Sequence, residues 1–225
     1  MTTNGELVGI LRATDLFAAV PIGELEAVVA ASLVRTFRRG QIVCTAGDRG
    51  DTVMVVLSGR VKVVVRSADG SELTLTVIRP GGVFGELAAI DDGPRSADAE
   101  TLEESRLLLI PRELVQDLCT RVPGVALALA RSVAATVRRL TGNAADLVFL
   151  DLPRRVAKVL LSQPRDDDGL IRLKMSQEQL AHQVAGTRQS VNAALRGFER
   201  RGWIEVHDRA VTVRQAGDLG RFAAH

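Results

Sequence analysis

Short runs of β-branched residues, separated by turns that contain glycine, fill the chain from Leu33 to Leu109. The turns recur about every 8 to 12 residues, which is typical of antiparallel sandwiches and barrels. The runs lie at residues 41–44, 52–57, 60–66, 72–78 and 105–110. They predict an antiparallel β domain, and the stretches before it, residues 5–16 and 24–32, are predicted to be helical.

A long helix is predicted after Pro123, because apolar or small residues recur there at alternating spacings of four and three. We call these residues the seam: Ala126, Ala130, Val133, Val137, Leu140, Ala144 and Leu147. A seam of this kind favours a coiled coil between two copies of the chain, and the alternative is a helix that lies on its own sheet. Pro153 is predicted to end the helix and to mark a domain boundary.

Length and composition set the remaining limits. The 225 residues, 46% hydrophobic and 25% charged, are enough for two modest domains with real cores. Apolar runs are too short to span a bilayer and the N-terminus does not resemble a secretory signal, so we expect a soluble, cytoplasmic protein. Cys44, Cys119 and three histidines near the C-terminus do not supply a four-ligand zinc site, so no structural metal is expected.

The positive charge lies in the C-terminal third, where residues 152–225 contain 13 Lys and Arg against 8 Asp and Glu. Here Ser176-Gln-Glu-Gln179 has the sequence of a helix capping box. A turn at Ala185-Gly186 follows, and Thr187 can cap a second helix. Two short helices joined by such a turn indicate a helix-turn-helix. A predicted hairpin over 202–206 and 210–213, with an earlier helix (154–163) and strand (170–174), makes the unit winged.

The second helix carries side chains suited to reading DNA. Arg188, Gln189 and Asn192 lie at its start, where a recognition helix meets base edges in the major groove. The residues expected to contact the DNA backbone or to lie beside it are Ser176, Gln177, Thr187, Ser190 and Arg196, with Arg200 and Arg201 nearby. The alternative is a winged helix that binds protein.

A second group of residues predicts a pocket for a sugar phosphate. The glycines around Gly85 expose backbone amides, and Glu86 offers an acceptor for sugar hydroxyls. Nine residues later, Arg95 and Ser96 offer a guanidinium fork and a hydroxyl for a phosphate. The alternative is a turn closed by a surface salt bridge.

With these motifs in this order, the chain resembles the CRP/FNR family of transcriptional regulators. It resembles the actinobacterial branch most closely from Ala145 to Ala157, around the hinge Phe149-Leu150-Asp151. The resemblance implies an α+β architecture: an N-terminal β-roll (a double-stranded β-helix of the cyclic-nucleotide-binding type), a long dimerisation helix and a C-terminal winged helix-turn-helix. The implied limits are residues 1–121, 122–151 and 152–225. The implied effector is cAMP, contacted by Gly85, Glu86, Leu87, Arg95, Ser96, Ala97 and Thr141.

Three positions depart from the family pattern. Thr136 stands where cAMP-responsive members typically carry an arginine that meets the glutamate of the pocket. Leu140-Thr141 stands where they carry two polar residues that touch adenine, and Gln189 stands where a glutamate is usual in the recognition helix. The iron-sulfur branch needs four cysteines and the haem branch an axial ligand in the β domain, so neither cofactor is expected.

Three functions remain open at this point. The first is a homodimeric, cAMP-controlled regulator that binds an imperfect palindrome of double-stranded DNA, with RNA polymerase as a plausible further partner and no membrane association. The second is a regulator of the same build that binds DNA without cAMP or responds to another effector. The third is a cyclic-nucleotide module that acts through protein partners. No nucleophile, base and orienting group recur in a recognisable spacing, so an enzyme is not expected.

Overall fold

The structure, a computed structural model, describes residues 3–68, 70–163, 165, 166, 168, 170–173, 175–207 and 210–224. The chain forms two compact units, the first comprising Met1–Gly70 with Thr74–Arg138 and the second comprising Ser71–Leu73 with Arg139–His225. The first unit contains α1 (Asn4–Arg12), α2 (Ile22–Ala30), β1 (Leu33–Phe37), β2 (Ile42–Cys44), β3 (Thr52–Ser58), β4 (Val61–Arg66), most of β5 (Glu72–Ile78), β6 (Val83–Phe84), α3 (Leu87–Asp91), β7 (Asp98–Thr101), β8 (Ser105–Pro111), α4 (Arg112–Arg121) and the start of α5 (Pro123–Phe149).

The strands of the first unit form two four-stranded sheets, in the orders β1-β8-β3-β6 and β2-β7-β4-β5. Residues 53–57 of the interior strand β3 are all apolar, as expected for a strand that is covered on both faces. Val53 and Val55 belong to a core shared with α1, α2 and α4, whereas Met54 and Val56 belong to a core with residues of β4, β6 and β7. The predicted β domain is therefore present, with all five predicted runs in strands.

The second unit contains the end of α5, then α6 (Leu152–Leu161), β9 (Ile171–Leu173), α7 (Gln177–Gln183), α8 (Arg188–Arg200), β10 (Ile204–His207), β11 (Ala210–Val213) and α9 (Ala216–Ala224). The predicted hairpin forms and β9 joins it, giving the sheet order β10-β11-β9. The predicted strand end at Lys174 and the hairpin turn at Asp208-Arg209 lie outside the described residues. One core joins α6, α7, α8 and α9 to this sheet.

The prediction that Pro153 ends the long helix is wrong. Helix α5 ends earlier, at Phe149, and Pro153 lies in the first turn of α6. The N-cap of α6 is Asp151, whose carboxylate accepts a hydrogen bond from the backbone N–H of Arg154 at 3.0 Å. A proline is tolerated in the first turn because the N–H that it lacks would have no partner within the helix there.

Candidate nucleotide pocket and nucleic-acid interface

The segment that joins β6 to β7 contains the predicted pocket residues. Gly85 follows β6 with a φ of 81°, in the left-handed region that favours glycine. A Cβ atom at Gly85 would lie 2.4 Å from Nη1 of Arg95, so the close approach of that arginine also requires glycine. Glu86 precedes α3, whose first residue Leu87 is half-buried.

Arg95 is buried, with 7% of its surface exposed. Its Nη1 donates to the carbonyl oxygen of Gly85 at 3.0 Å, and its Nη2 donates to the carbonyl and the hydroxyl of Thr52 at 2.7 and 3.0 Å. Its Nε is buried and has no hydrogen-bond partner. The predicted alternative, a surface salt bridge, is therefore wrong for Arg95: among the described residues it contacts carbonyl and hydroxyl oxygens but no carboxylate.

These contacts fit an anion at Arg95. A buried cation is costly unless a negative charge compensates it, and an unpaired buried N–H adds to that cost. A phosphate supplies both the charge and the acceptor. Ser96 is exposed and Ala97 is buried, so a hydroxyl and a backbone amide follow the guanidinium directly in the chain.

The backbone around Arg95 is fixed by the turn after β2. The N–H of Gly47 donates to the carbonyl of Arg95 at 2.9 Å, and the N–H of Arg95 donates to the carbonyl of Asp48 at 2.8 Å. Asp98 accepts from the N–H of Ala46 at 2.6 Å in the same turn. The arginine is thus held through its main chain as well as through its side chain.

A cysteine also lies near Arg95. Burial raises the pKa of the Cys44 thiol, and the positive charge of Arg95 opposes part of that rise. The thiol is therefore protonated at neutral pH.

Ser132 is a residue that sequence reasoning missed. Its hydroxyl donates to Oε1 of Glu86 at 3.3 Å. The family pattern places the residue that meets this glutamate at Thr136, one helical turn further along α5. A search for hydroxyl side chains four residues before and after Thr136 would have found Ser132. Thr141, the predicted adenine contact, is an exposed residue of α5.

The helix-turn-helix is capped as predicted. Ser176 is the N-cap of α7 and forms a capping box with Gln179, whose side chain accepts from the Ser176 N–H at 2.9 Å. Thr187 is the N-cap of α8 and accepts from the N–H of Ser190 at 3.1 Å. Both bonds satisfy N–H groups that have no partner within the helix.

The predicted turn at Ala185-Gly186 forms, and its left-handed residue is the alanine rather than the glycine. Ala185 has the positive φ, 50°, whereas Gly186 does not. Space is limited at Gly186, because a Cβ there would lie 2.2 Å from Cδ1 of Leu152 at the start of α6, and Leu152 would have to move.

Helix α8 has one buried and one polar face. Its buried residues are Val191, Ala194, Leu195 and Phe198. Arg188, Gln189 and Arg196 are exposed on the other side, as are Thr187 and Ser190, and Asn192 is half-buried. Near the start of α7, Ser176 is exposed and Gln177 is half-buried. Within the part of the chain that the structure describes, the side chains of Arg188, Gln189 and Arg196 have no hydrogen-bond or ion-pair partner, so these groups are available to another molecule.

The described residues provide neither a metal site nor a membrane-spanning helix. Within the described ranges, no group of three or more His, Cys, Asp or Glu side chains is placed to hold a metal ion. No single described helix is both long and apolar enough to cross a membrane; α4 and α5 meet that criterion only as a pair, with a bend of 116° between them.

A β domain with a candidate phosphate pocket, followed by a long helix and a helix-turn-helix, defines the class of DNA-binding transcription regulators with a cyclic-nucleotide-binding domain. Comparison with known proteins supports this class. Residues 34–122 match the cyclic nucleotide-binding domain, and residues 154–222 match the Crp-like helix-turn-helix domain.

The chain belongs to the CRP/FNR family, whose members are DNA-binding transcription regulators and not enzymes. It is 34% identical over 220 residues to the CRP-like cAMP-activated global transcriptional regulator of Mycobacterium tuberculosis, covering 95% of this chain and 98% of that protein. It is 29% identical to the cyclic AMP receptor protein of Thermus thermophilus, with the same coverage. The structure of FixK2 from Bradyrhizobium japonicum shares the fold, with a TM-score of 0.77 at 22% identity over 86% of this chain and 98% of that one.

Proposed function

We propose that the chain is a homodimeric transcription regulator controlled by cAMP bound in its β domain. The observation that carries the proposal is Arg95, a buried cation with an unpaired Nε and no carboxylate partner among the described residues. Two relatives, the cAMP-activated regulator of M. tuberculosis and the cyclic AMP receptor protein of T. thermophilus, support the same effector. We assign the three segments 1–121, 122–151 and 152–225 to effector binding, dimerisation and DNA binding.

The proposed contacts divide the nucleotide between two groups of residues. Arg95, Ser96 and the amide of Ala97 would hold the cyclic phosphate, since a guanidinium, a hydroxyl and an N–H are suitable donors to phosphate oxygens. Gly85 and Glu86 would hold the ribose, with Leu87 beside them. Thr141 is the proposed contact for the base.

Homodimerisation through α5 is supported by the exposure of its seam. Val137, Leu140 and Leu147 are 56%, 39% and 42% exposed, which leaves large apolar side chains in contact with water in a single chain. By contrast, Val125 and Leu129 on another face of the helix are buried in the core of the first unit. A second copy of the same helix would cover the exposed seam.

The dimer would place two copies of α8 in successive major grooves, about 34 Å apart, so the operator should be an imperfect palindrome. We assign base reading to Arg188, Gln189 and Asn192, and backbone contacts to Ser176, Gln177, Thr187, Ser190 and Arg196. Effector binding would favour one arrangement of the dimer by a coupling free energy of about 1 to 3 kcal/mol. RNA polymerase is a plausible partner on the promoter.

The experiment that tests effector binding is a calorimetric titration of cAMP into the purified protein, with cGMP as the comparison. We expect micromolar affinity for cAMP, weaker affinity for cGMP and no measurable binding of either by Arg95→Gln. Arg106→Gln is the matched control, because Arg106 is a half-buried arginine of the same β domain outside the pocket. Undiminished cAMP affinity in a folded Arg95→Gln variant would contradict the proposal.

A second candidate is a regulator of the same build that binds DNA without cAMP. It is favoured by one observation, that the α5 side chain in contact with Glu86 is an uncharged serine. DNase footprints of equal strength with and without nucleotide would support this candidate.

The remaining alternative is a C-terminal unit that contacts protein rather than DNA. In that case Arg188→Ala would leave binding to genomic DNA fragments unchanged.

A further inference from the structure

We infer that Ser132 is the residue that positions Glu86 to recognise the ribose 2′-hydroxyl of the effector, and that it connects this glutamate to the dimerisation helix. The inference rests on the proposed function, because it assumes that Glu86 faces the ribose. It assigns the contact with this glutamate to Ser132, one helical turn before Thr136.

The first support is the environment of Glu86. Its side chain does not cap α3, although it directly precedes that helix. Among the described residues, the Ser132 hydroxyl is the one side-chain group hydrogen-bonded to its carboxylate, at Oε1, and no cation pairs with it. A carboxylate has about four acceptor sites, so Oε2 remains able to accept a hydrogen bond from a sugar hydroxyl.

The second support is the position of Ser132 on α5. Val125 and Leu129 are buried in the core of the first unit, and Ser132 follows Leu129 by three residues. Residues spaced by four and three lie on one helix face, so Ser132 continues the face that packs on its own β domain. Val125 and Leu129, two buried residues of this face, therefore hold this part of α5 against the domain that contains Glu86.

The third support is the distance from Ser132 to the seam. Val133 is the next residue in the chain and belongs to the seam, which lies on a different face of α5. The hydrogen bond between Ser132 and Glu86 therefore connects the pocket to the helix turn that we propose to pack against the partner subunit. An arginine at this contact would neutralise the charge of the Glu86 carboxylate. The serine hydroxyl instead donates one hydrogen bond and brings no positive charge.

The test compares cAMP with 2′-deoxy-cAMP, which lacks the hydroxyl that Glu86 is inferred to bind. Dissociation constants are measured by calorimetry for the full-length wild type, Ser132→Ala and Ser132→Thr. We expect Ser132→Ala to weaken cAMP binding about threefold to tenfold, the range of one hydrogen bond, and to change 2′-deoxy-cAMP binding less than about twofold. Ser132→Thr, which keeps a hydroxyl, should restore most of the cAMP affinity.

Two controls separate positioning from a general structural effect. Thr136→Ala removes another hydroxyl of α5, one turn away, and should change neither affinity. Glu86→Ala removes the acceptor of the Ser132 hydrogen bond, so it should weaken cAMP binding and make that binding insensitive to Ser132→Ala. Equal losses for the two nucleotides, or no loss in Ser132→Ala, would overturn the role of Ser132 while leaving the proposed function intact. A wild type that binds neither nucleotide would overturn both.

Discussion

The guanidinium of Arg155 joins the end of the long helix to the helix-turn-helix: its Nε donates to the carbonyl oxygen of Val184 at 2.9 Å, while its Nη1 donates to that of Leu150 at 2.8 Å. Val184 is the C-cap of α7, and Leu150 directly follows α5. Both carbonyls lie at helix ends, where the oxygen atoms have no partner within the helix. Arg155 therefore fixes the position of α7 relative to the hinge.

We predict that Arg155→Met destabilises the C-terminal unit by about 2 kcal/mol, because hydrogen bonds from a charged donor contribute roughly 1.5 to 3 kcal/mol. Trp203, the single tryptophan, lies in this unit and reports its unfolding in urea. Arg200→Met is the control: Arg200 is exposed on α8, and its removal should change the free energy of unfolding by less than about 0.5 kcal/mol. Equal stability of the two variants would contradict the role of Arg155.

Two glycines of the same unit should respond in opposite directions to alanine. Gly186→Ala should destabilise it by about 1 kcal/mol or more, because the new Cβ would displace Leu152. Gly197→Ala should stabilise it by about 0.5 to 1 kcal/mol, since Gly197 lies inside α8 with no atom closer than 3.6 Å to the new Cβ. Urea unfolding followed by Trp203 fluorescence measures both, and a stabilised Gly186→Ala would show that the contact with Leu152 is wrong.

A charged residue introduced on the seam should dissociate the dimer into monomers. We expect Leu140→Asp and Leu147→Asp to sediment as monomers at micromolar concentration, because each would place two carboxylates in an apolar interface. Ala145→Asp is also exposed on α5 but lies off the seam, and it should remain dimeric. The proposal fails if the wild type is itself a monomer, or if all three variants sediment alike.

The reactivity of Cys44 should report on Arg95. In a Cys119→Ser background, the rate of alkylation by iodoacetamide follows the thiolate fraction, so its midpoint should lie at a higher pH than that of a free thiol. The charge of Arg95 lowers this pKa, and its removal in Arg95→Gln should raise the pKa further and slow alkylation at a fixed pH. An unchanged midpoint in Arg95→Gln would place the guanidinium away from the thiol.

Features fixed by neighbouring residues were predictable from the sequence. The caps at Ser176 and Thr187 need only a hydroxyl followed three residues later by an N–H, and both form. The run from Thr52 to Ser58 predicts a strand because its apolar residues are consecutive, and the structure adds that it is buried on both faces.

Features that depend on distant partners were not predictable. Strand β7 was missed because its sequence, Asp98-Ala-Glu-Thr101, contains two carboxylates; both are paired with Arg66 of β4. Arg95 is hydrogen-bonded to Thr52, which is 43 residues away in the chain, and Ser132 is hydrogen-bonded to Glu86, which is 46 residues away. The close approach of Gly186 to Leu152 likewise depends on how α6 packs against the turn. The predicted assignment of individual residues to nucleotide and DNA contacts remains to be tested.

The most direct test of the account measures DNA affinity as a function of cAMP concentration. The protein first selects its operator from a random-sequence library, and fluorescence anisotropy then gives Kd for that DNA at one fixed salt concentration. We predict that saturating cAMP tightens binding by about 5 to 150-fold in the wild type and has no effect in Arg95→Gln. An equal Kd with and without cAMP in the wild type would contradict the central claim that the effector pocket controls DNA binding.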